Sequence, residues 1–469
     1  MLGRLKHRVK QALRQASQAY ENGRSLPPAH WGLGADAASG LSLNGVPLHG
    51  LLHEWGSPLF VVDVGALKRN AQRFCNRPHG SSNLNVFYSY KTNPVSFVLS
   101  TLHDEGIGAE VISAYELWLA LRLGVPPERI VYNGPVKSEA SVREAIQRGV
   151  GLISANHAEE VSLLARIAAS LGRRPRTGIR VSPSQGWSGQ FGVAIAGGAA
   201  LRAFEQARGL QALDLCALHA HRGGMMRSEA DLTAFVGEIL AFTDVLAERL
   251  GLHLEILDFG GSLATPSVDH LTPLERRLNR TLLRDLPAPD VTTALTIERY
   301  VAILRDMVGQ HFARVSRPQP RIFIEPGRSL TGETQFLLAS VHALKEADDR
   351  TYAILDAGIN VAEPTRSEYH QLLPVNRIAE PAGRVYTVVG PICTPGDTLY
   401  PAVRLPELAV GDSLCIMDAG AYFVPFATSF SYPQPAIVAI DGDRAFLVRH
   451  AERFEGMAAR DVLPESVRA

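Results

Sequence analysis

The sequence predicts an α/β protein in which a (β/α)8 barrel is followed by an all-β domain. First, short β-rich runs alternate with helical stretches from about residue 58 to about residue 340. Second, most of these runs recur every ~20 to ~35 residues, which is the length of a βα unit. Third, beyond residue 340 the strand-like runs are separated by Gly, Pro and Asp turns, with few helical stretches between them.

The chain begins its regular pattern with a strand over residues 58–63 and a helix over residues 64–75. Eight further strand candidates follow, each with a helix or loop after it, and eight such units in series predict a closed barrel. The candidates are residues 85–91, 109–113, 129–133, 151–155, 177–182, 215–221, 254–258 and 321–325.

The interval between the seventh and eighth candidates is longer than the others and contains four prolines between residues 266 and 289. We interpret residues 263–320 as an insertion at the mouth of the barrel, with a helix from about residue 296 to 312. The predicted division is residues 1–63 as an extension whose strand joins the β-domain, 64–340 as the barrel, and 341–469 as the C-terminal β-domain.

Composition narrows the classes of function. Lys plus Arg and Asp plus Glu each number 47, so the net charge is zero and nucleic-acid or anionic-membrane partners are not favoured. The four cysteines are scattered without a CxxC motif, which fits a reducing cytoplasm. No apolar run reaches the ~18–20 residues of a membrane span. Residues 1–20 are basic without any acid and predict a surface helix, with a transit peptide as the alternative.

Two strand ends offer side chains with distinct chemistry, and the strand ends form the active-site face of such a barrel. The first ends at Lys91, and a partly desolvated lysine can form an imine with a carbonyl. The sixth ends in His219 and His221, which alternation places on one face. No third or fourth metal ligand at suitable spacing stands out, so we expect no metal. His221 is then free to lie flat on a planar cofactor.

The last two strands run into residues 260–262 (Gly-Gly-Ser) and 325–328 (Glu-Pro-Gly-Arg). Backbone N–H groups of consecutive glycines can approach an anion closely, and Arg328 can clamp a phosphate. With Lys91 for an aldehyde and Glu325 for a basic ring nitrogen, the set fits pyridoxal 5′-phosphate. An acid opposite that nitrogen keeps it protonated, which makes the ring the strong electron sink that loss of CO2 requires.

Seven motifs in this order resemble those of the fold-type III pyridoxal-phosphate decarboxylases, which include diaminopimelate, ornithine and arginine decarboxylases. They are YSYKTNP (88–94), GAEVIS (108–113), HAHRGG (219–224), LDFGGSL (257–263), EPGRSLTG (325–332), GPICTPGD (390–397) and DAGAY (418–422). The resemblance covers roughly residues 50–460. It implies an amino-acid substrate and a head-to-tail homodimer with two shared active sites.

The resemblance also implies roles for individual residues. Lys91 matches the lysine that holds the cofactor as a Schiff base, and Cys393 matches a cysteine that reaches in from the partner subunit to reprotonate Cα. The expected cofactor-binding residues are Lys91, Glu110, Arg180, His221, Gly260, Gly261, Ser262, Glu325, Gly327, Arg328 and Tyr422. The expected substrate-binding residues are Arg328, Glu363, Arg366, Thr394, Asp397 and Tyr422.

This sequence departs from the family at the places that hold the distal end of the substrate. Thr394 follows Cys393 where diaminopimelate decarboxylases carry Glu and ornithine decarboxylases carry Asp. Glu363 precedes a proline where the diaminopimelate enzymes usually show an Arg-Pro pair, although Arg366 can take its place. Gly224 stands where a serine usually helps to hold the phosphate, and the hydroxyl of Ser262 can substitute for it.

The resulting prediction is a pyridoxal-phosphate-dependent decarboxylase of an amino acid or amino-acid derivative, with an altered distal pocket. One alternative is an amino-acid racemase, because alanine racemases share the barrel. Those enzymes place an arginine against the pyridine nitrogen, so Glu325 favours decarboxylation. The other alternative is a non-catalytic regulator on the same scaffold, which the presence of both Lys91 and Cys393 disfavours.

Overall fold

The computed structural model of the chain describes residues 12–14, 25–75, 83–347 and 349–463. These residues form two compact units, each of which is assembled from separate parts of the sequence. One unit comprises the described residues within 67–266 and 290–331, and the other comprises the described residues within 1–66, 267–289 and 332–469. The predicted basic helix over residues 1–20 lies outside the described residues, apart from positions 12–14.

The first unit is a closed barrel of eight parallel strands, which confirms the predicted fold class. Each strand pairs with the next along the chain, β8 pairs with β1, and β4 pairs with β5. A two-residue strand, Val193–Ala194, also runs parallel beside β5. The strands are β1 (Leu84–Ser89), β2 (Gly108–Val111), β3 (Ile130–Tyr132), β4 (Leu152–Ala155), β5 (Arg176–Ser182), β6 (Asp214–Ala220), β7 (Ile256–Asp258) and β8 (Arg321–Ile324).

Helices provide the crossovers between the strands, and serine N-caps begin several of them. The side chain of Ser228, for example, accepts the Asp231 N–H at the start of the longest helix. None of the helices in the described residues is both long and apolar enough to cross a membrane. The barrel helices are Val64–Cys75, Ser96–Asp104, Ala114–Arg122, Glu139–Arg148, Ala158–Ser170, Ala199–Arg208, Glu229–Leu250, Ile297–Arg314 and Arg328–Thr331.

The barrel strands are buried on both faces, as expected where helices cover a parallel sheet. A hydrophobic cluster that includes Phe87, Ile256 and Phe323 fills part of the interior. Because all eight strands run in one direction, their carboxyl ends meet at one end of the barrel. The polar residues that end these strands therefore come together there.

The second unit is rich in β-structure. It contains a three-stranded sheet made of Leu33–Asp36, Gly40–Leu43 and Val46–Pro47. In its larger sheet, Leu59–Asp63 pairs with Gln335–Ala347 on one side and with Ala436–Asp441 on the other. The other strands are Arg350–Leu355, Leu372–Pro374, Arg384–Val389, Thr398–Leu405, Ser413–Ile416 and Arg444–Arg449. Its helices are Leu48–Trp55, Pro273–Leu282, Ile359–Ala362, Phe423–Phe426 and Phe454–Ala458.

One segment of the expected insertion belongs to this second unit, in contrast to the continuous barrel range of residues 64–340 in our prediction. Residues 267–289 group with the β-rich unit. Their helix begins with a capping box made by Thr272 and Glu275. On the same helix, Asn279 donates a 2.8 Å hydrogen bond to the carbonyl oxygen of Ala402. The second half of the insertion, with helix Ile297–Arg314, remains in the barrel unit.

Candidate active site

Lys91 lies in the short turn that follows β1, and two neighbours hold its amino group. Its Nζ donates to Ser89 Oγ at 2.6 Å and to Glu110 Oε2 at 3.2 Å. Ser89 Oγ also donates to the same carboxylate oxygen at 2.5 Å. Glu110 is buried at the end of β2, whereas the Lys91 side chain is 30% exposed. The lysine is therefore oriented by a buried acid while its amine stays accessible.

A buried amide links Glu110 to Glu325 across the barrel end. Asn133, which follows β3, donates from Nδ2 to Glu110 Oε1 at 3.3 Å and closely to Glu325 Oε1. Glu325 itself follows β8 and is 2% exposed. Burial and the nearby Asp258 carboxyl raise the pKa of Glu325 well above its ordinary value. The geometry thus holds a carboxyl group at a fixed place in a poorly solvated site.

Asp258 and His219 lie beside Glu325 and are buried with it. Asp258 ends β7, and its Oδ1 accepts the N–H of Gly260 at 2.9 Å. Burial raises the pKa of Asp258 to about 6. His219 Nε2 is 3.7 Å from Glu325 Oε2, and neither ring nitrogen of His219 has a hydrogen-bond partner among the described residues. One ligand-type atom from each of the three groups lies within 4.8 Å of the others.

His221 follows β6, and the indole ring of Trp187 packs against its imidazole ring. Its Nδ1 accepts the N–H of Gly223 at 3.0 Å, which orients the imidazole. Burial, and then the charge of Lys91, lowers the pKa of His221 well below its ordinary value, so the ring is neutral. The ring of Trp187 stacks on it with centroids 5.4 Å apart and planes at 28°. Phe191 also stacks on Trp187, with ring centroids 5.3 Å apart.

Two loops that follow β7 and β8 approach each other closely. A Cβ at Gly261 would overlap the carbonyl oxygen of Glu325, and one at Gly327 would overlap Thr92 Oγ1. Ser262 adopts a left-handed backbone with φ of 81°. Its hydroxyl accepts the N–H of Gly223 at 2.9 Å. Glycine at these two positions avoids both overlaps, and a loop backbone without side chains can approach an anion such as a phosphate closely.

Arg180, near the end of β5, is 8% exposed and faces the carboxyl groups of Glu325, Glu110 and Asp258. Its guanidinium carbon lies 4.8 Å from the centre of the Phe191 ring. The barrel unit therefore contains ten of the predicted site residues near its strand ends or in the loops that follow: Lys91, Glu110, Arg180, His221, Gly260, Gly261, Ser262, Glu325, Gly327 and Arg328.

The remaining predicted residues belong to the β-rich unit. Glu363 and Arg366 form an ion pair at 3.8 Å and are both substantially exposed. Arg366, Thr394 and Asp397 line one cavity of about 770 Å³ within that unit. Arg276, Arg280, Lys345 and Arg350 line it as well. The cavity is thus strongly cationic.

Asp397 serves the local backbone in this unit. Its Oδ1 accepts the N–H of Ile359 and its Oδ2 accepts the N–H of Ile392, each at 2.8 Å. Cys393, which follows Ile392, is exposed. Tyr422 has a left-handed φ of 69° and stacks on Phe426 at 5.6 Å. The Asp397 carboxylate therefore fixes the loop on which Cys393 is presented.

Sequence reasoning missed Asn133 and Trp187 as members of the site. Asn133 follows β3 and is separated from Glu325 by 192 residues, so no local pattern predicts their contact. Its position directly after a strand was the available signal. Trp187 lies in an irregular loop, and no periodic pattern places such a residue. Asp258 lies in the LDFGGSL motif of residues 257–263, but the sequence predicts no role for its carboxyl group.

The barrel sequence matches a known family. The model described as "Pyridoxal-dependent decarboxylase, pyridoxal binding domain" matches residues 64–332. A diaminopimelate decarboxylase from Archaeoglobus fulgidus is 29% identical over 441 residues, which are 91% of this chain and 97% of that protein. The diaminopimelate decarboxylase of Zymomonas mobilis is 28% identical over 434 residues, covering 89% and 95% of the two chains.

Solved structures resemble the whole fold. The crystal structure of diaminopimelate decarboxylase from M. jannaschii has a TM-score of 0.82 at 22% identity, covering 93% of this chain and 98% of that chain. The structure of AQ1208 from Aquifex aeolicus has a TM-score of 0.77 at 26% identity, covering 92% and 98%. A mutant of SrLDC in complex with PLP has a TM-score of 0.69 at 23% identity, covering 86% and 96%.

Proposed function

Because this chain belongs to the pyridoxal-dependent decarboxylase family, we propose that it decarboxylates an amino acid or amino-acid derivative whose distal end differs from that of meso-diaminopimelate. Pyridoxal phosphate is its cofactor, and amino-acid decarboxylation is its reaction. The observation that carries the proposal is the convergence of Lys91, Glu110 and Glu325 within the barrel. An amine and an opposing buried carboxyl are what a pyridine aldehyde requires.

The barrel residues fit this cofactor. The Lys91 amine is accessible to an aldehyde. The loops after β7 and β8 carry glycine at two positions where a side chain would clash, so their backbone could approach a phosphate closely. Glu325 would hold the ring nitrogen protonated. When bound, the cofactor supplies an electron sink for the electron pair left at Cα when CO2 departs.

The residues around the cofactor site would then have distinct tasks. Ser89 and Glu110 orient the Lys91 amine and can hold a proton at Nζ. The neutral ring of His221 would support one face of the cofactor. Burial of these groups excludes water, which strengthens their electrostatic interactions with the reacting centre. We further propose a homodimer in which Cys393 of one subunit returns a proton to Cα in the site of the other.

The distal pocket differs in charge from the pattern that the resemblance implies. Glu363 stands in place of the expected arginine, and its ion pair with Arg366 partly neutralises that cation. Thr394 adds a hydroxyl where the related enzymes carry an acid. A distal group that is anionic or hydrogen-bonding suits this cationic cavity better than a distal amino acid centre, whose ammonium group the lining arginines would repel. Meso-diaminopimelate remains the comparison substrate, since the relatives at 28–29% identity carry that name.

Release of CO2 from a panel of amino acids tests the proposal. The panel contains meso-diaminopimelate, ornithine, lysine, arginine and their derivatives acylated on the distal nitrogen, which keep a free α-amino group, with the product identified by mass. We expect a derivative to be preferred over meso-diaminopimelate. Preference for meso-diaminopimelate would contradict the proposed change in the distal pocket, but it would still agree with decarboxylation as the reaction. Racemised substrate without CO2 would instead identify a racemase.

A further inference from the structure

Asp258 and Glu325 are a pair of carboxyl groups buried at the proposed cofactor site, and no lysine or arginine among the described residues forms an ion pair with either of them. Asp258 and Glu325 are 0% and 2% exposed. Each has one oxygen with an identified donor, namely Gly260 N–H for Asp258 and Asn133 Nδ2 for Glu325. No donor among the described residues reaches Asp258 Oδ2. One oxygen atom of each carboxyl group lies within 4.8 Å of the other, and a hydrogen bond between the two groups would require a proton.

The nearby cations are too few to neutralise the nearby acids. Lys91 pairs with Glu110 at 3.2 Å, and the more deeply buried Lys137 pairs with Glu160 at 3.0 Å. Arg180 is the cation left to face the buried carboxyl pair. One positive charge cannot balance two carboxylates in a site of low polarity, so one of them must be neutral.

The other groups around the pair do not supply a second positive charge. His219 and His221 both have their pKa lowered well below the ordinary value, primarily by burial. Tyr300, on helix Ile297–Arg314, also faces both carboxyl groups, and burial raises its pKa, so it stays neutral. Asn133 is an uncharged donor.

We propose that Asp258 and Glu325 share one proton when the site holds no cofactor, and that the pair gives up this proton when the cationic pyridine ring binds opposite Glu325. The proposal rests on the proposed function. The O–H bond of the pair breaks. If the ring arrives neutral, an N–H bond forms on its nitrogen, and if it arrives protonated, the proton passes to the buffer. Two carboxylates then face two cations, Arg180 and the ring.

Asp258 is then a positioning residue that acts through Glu325: by sharing a proton with Glu325, it determines whether the Glu325 carboxyl group is charged. The shared proton also gives the cluster of His219, Asp258 and Glu325 a role that needs no metal ion. The three groups supply fewer than the four ligands of a structural zinc site. A cation there would also be repelled by Arg180. Metal analysis of the purified holoenzyme checks this point, and a stoichiometric metal that is lost in Asp258→Asn would overturn the proposal.

Difference infrared spectroscopy reads the shared proton directly. Apoenzyme is prepared from holoenzyme, and spectra are taken before and after the addition of pyridoxal phosphate. We expect a protonated-carboxyl band that shifts in D2O and disappears on loading. Asp258→Asn should lack this change. Glu116→Gln is the matched control, because it removes a different buried carboxyl group and should leave the cofactor-dependent change intact.

A cofactor analogue with a carbon in place of the ring nitrogen distinguishes a failure of the shared-proton proposal from a failure of the proposed function. It can still bind Lys91, but it cannot carry the ring charge. We expect the carboxyl band to persist with this analogue. If neither aldehyde produces the absorbance of a lysine-bound chromophore, the proposed function fails. If both do but pyridoxal phosphate leaves the band unchanged, the shared proton is wrong.

The pH dependence of cofactor affinity provides a second measurement, which does not depend on activity. Below the pKa of the pair, binding must displace a proton, so affinity should fall by up to about tenfold per unit decrease in pH. Asp258→Asn should remove this dependence, and Asp258→Glu should restore it. Since the titration of the cofactor itself is common to all three proteins, only the difference between their slopes reports on the pair. Equal slopes would contradict the proposal.

Discussion

The ammonium group of Lys91 is positioned by groups from two adjacent strands, Ser89 at the end of β1 and Glu110 in β2. Neither neighbour can replace the amine in a covalent bond to an aldehyde. In the proposed function, the reaction therefore depends on this one nitrogen atom. The groups around it determine how accessible and how basic that atom is.

Lys91→Ala should abolish the visible absorbance of the lysine-bound cofactor and lower the rate of CO2 release by at least about a hundredfold, because covalent catalysis is lost. Absorbance titration and CO2 release measure the two effects. Lys68→Ala is the control, since Lys68 lies on helix Val64–Cys75 and is not among the residues of the candidate site. A variant without Lys91 that kept the same absorbance would show that another amine binds the cofactor.

Trp187 restricts the His221 ring through stacking. Trp187→Ala should weaken cofactor binding by about fivefold, since an aromatic pair contributes about 1 kcal/mol. Trp187→Phe should retain most of the affinity. Equilibrium titration with pyridoxal phosphate measures the change, and Trp118→Ala on the exposed face of helix Ala114–Arg122 is the control. Equal affinity in all three variants would remove Trp187 from the site.

The parallel strands explain why much of the site is predictable from the sequence. Once eight βα units are identified, the residues after each strand must share one end of the barrel. Lys91 and Glu325 follow from this rule, whereas Glu110 is expected only from the resemblance to the decarboxylase family. Contacts across that end do not follow from the rule, because Asn133 meets Glu325 only after the barrel closes between β8 and β1. Loop conformations such as that of Trp187 have no repeating pattern at all.

The segment 267–289 illustrates a different limit. Its prolines correctly indicate an irregular connection, but its neighbours are set by long-range contacts such as that between Asn279 and Ala402. A single sequence does not encode that distance of 123 residues in a local pattern. Assignment of the segment to the barrel was therefore the natural prediction, and the structure groups it with the β-rich unit.

The close approach of the loop after β8 to the turn after β1 can be tested by substitution. Gly327→Ala should weaken cofactor binding at least about tenfold, because its Cβ would overlap Thr92 Oγ1 and push the loop away from the phosphate. Thr92→Ala in the same chain removes that atom and should restore part of the affinity. A double-mutant cycle of dissociation constants measures the coupling, and strictly additive effects would contradict it.

Helix Ala114–Arg122 carries a buried acid in its first turn. Glu116 accepts the Ile112 N–H at 2.8 Å, and burial raises its pKa from 4.5 to about 7. Between these pH values the native state binds more protons than the unfolded chain, so stability falls as pH rises. Glu116→Gln should lose this decline, which is at most about 3 kcal/mol. Urea unfolding at pH 5 and pH 8 measures it, and parallel changes in both proteins would contradict the assignment.

At the scale of the whole molecule, we proposed that Cys393 of one subunit acts in the active site of the other, and mixed dimers test this. Lys91→Ala and Cys393→Ala should each be nearly inactive alone. Mixed dimers contain one site with both native residues, so random reassembly should recover about a quarter of the native activity. Denaturation and joint refolding, followed by CO2 release, tests this. Mixed dimers that remain inactive would show that Cys393 serves its own subunit or none.

The central position of Leu59–Asp63 has a consequence for biosynthesis. This apolar strand is synthesised before both of its partners, Gln335–Ala347 and Ala436–Asp441. The barrel lies between them in the chain and can close first. Residues 436–441 must therefore be synthesised before this segment gains both neighbours. Until then it offers two open edges to other nascent chains, so early termination should give products that aggregate or require chaperones.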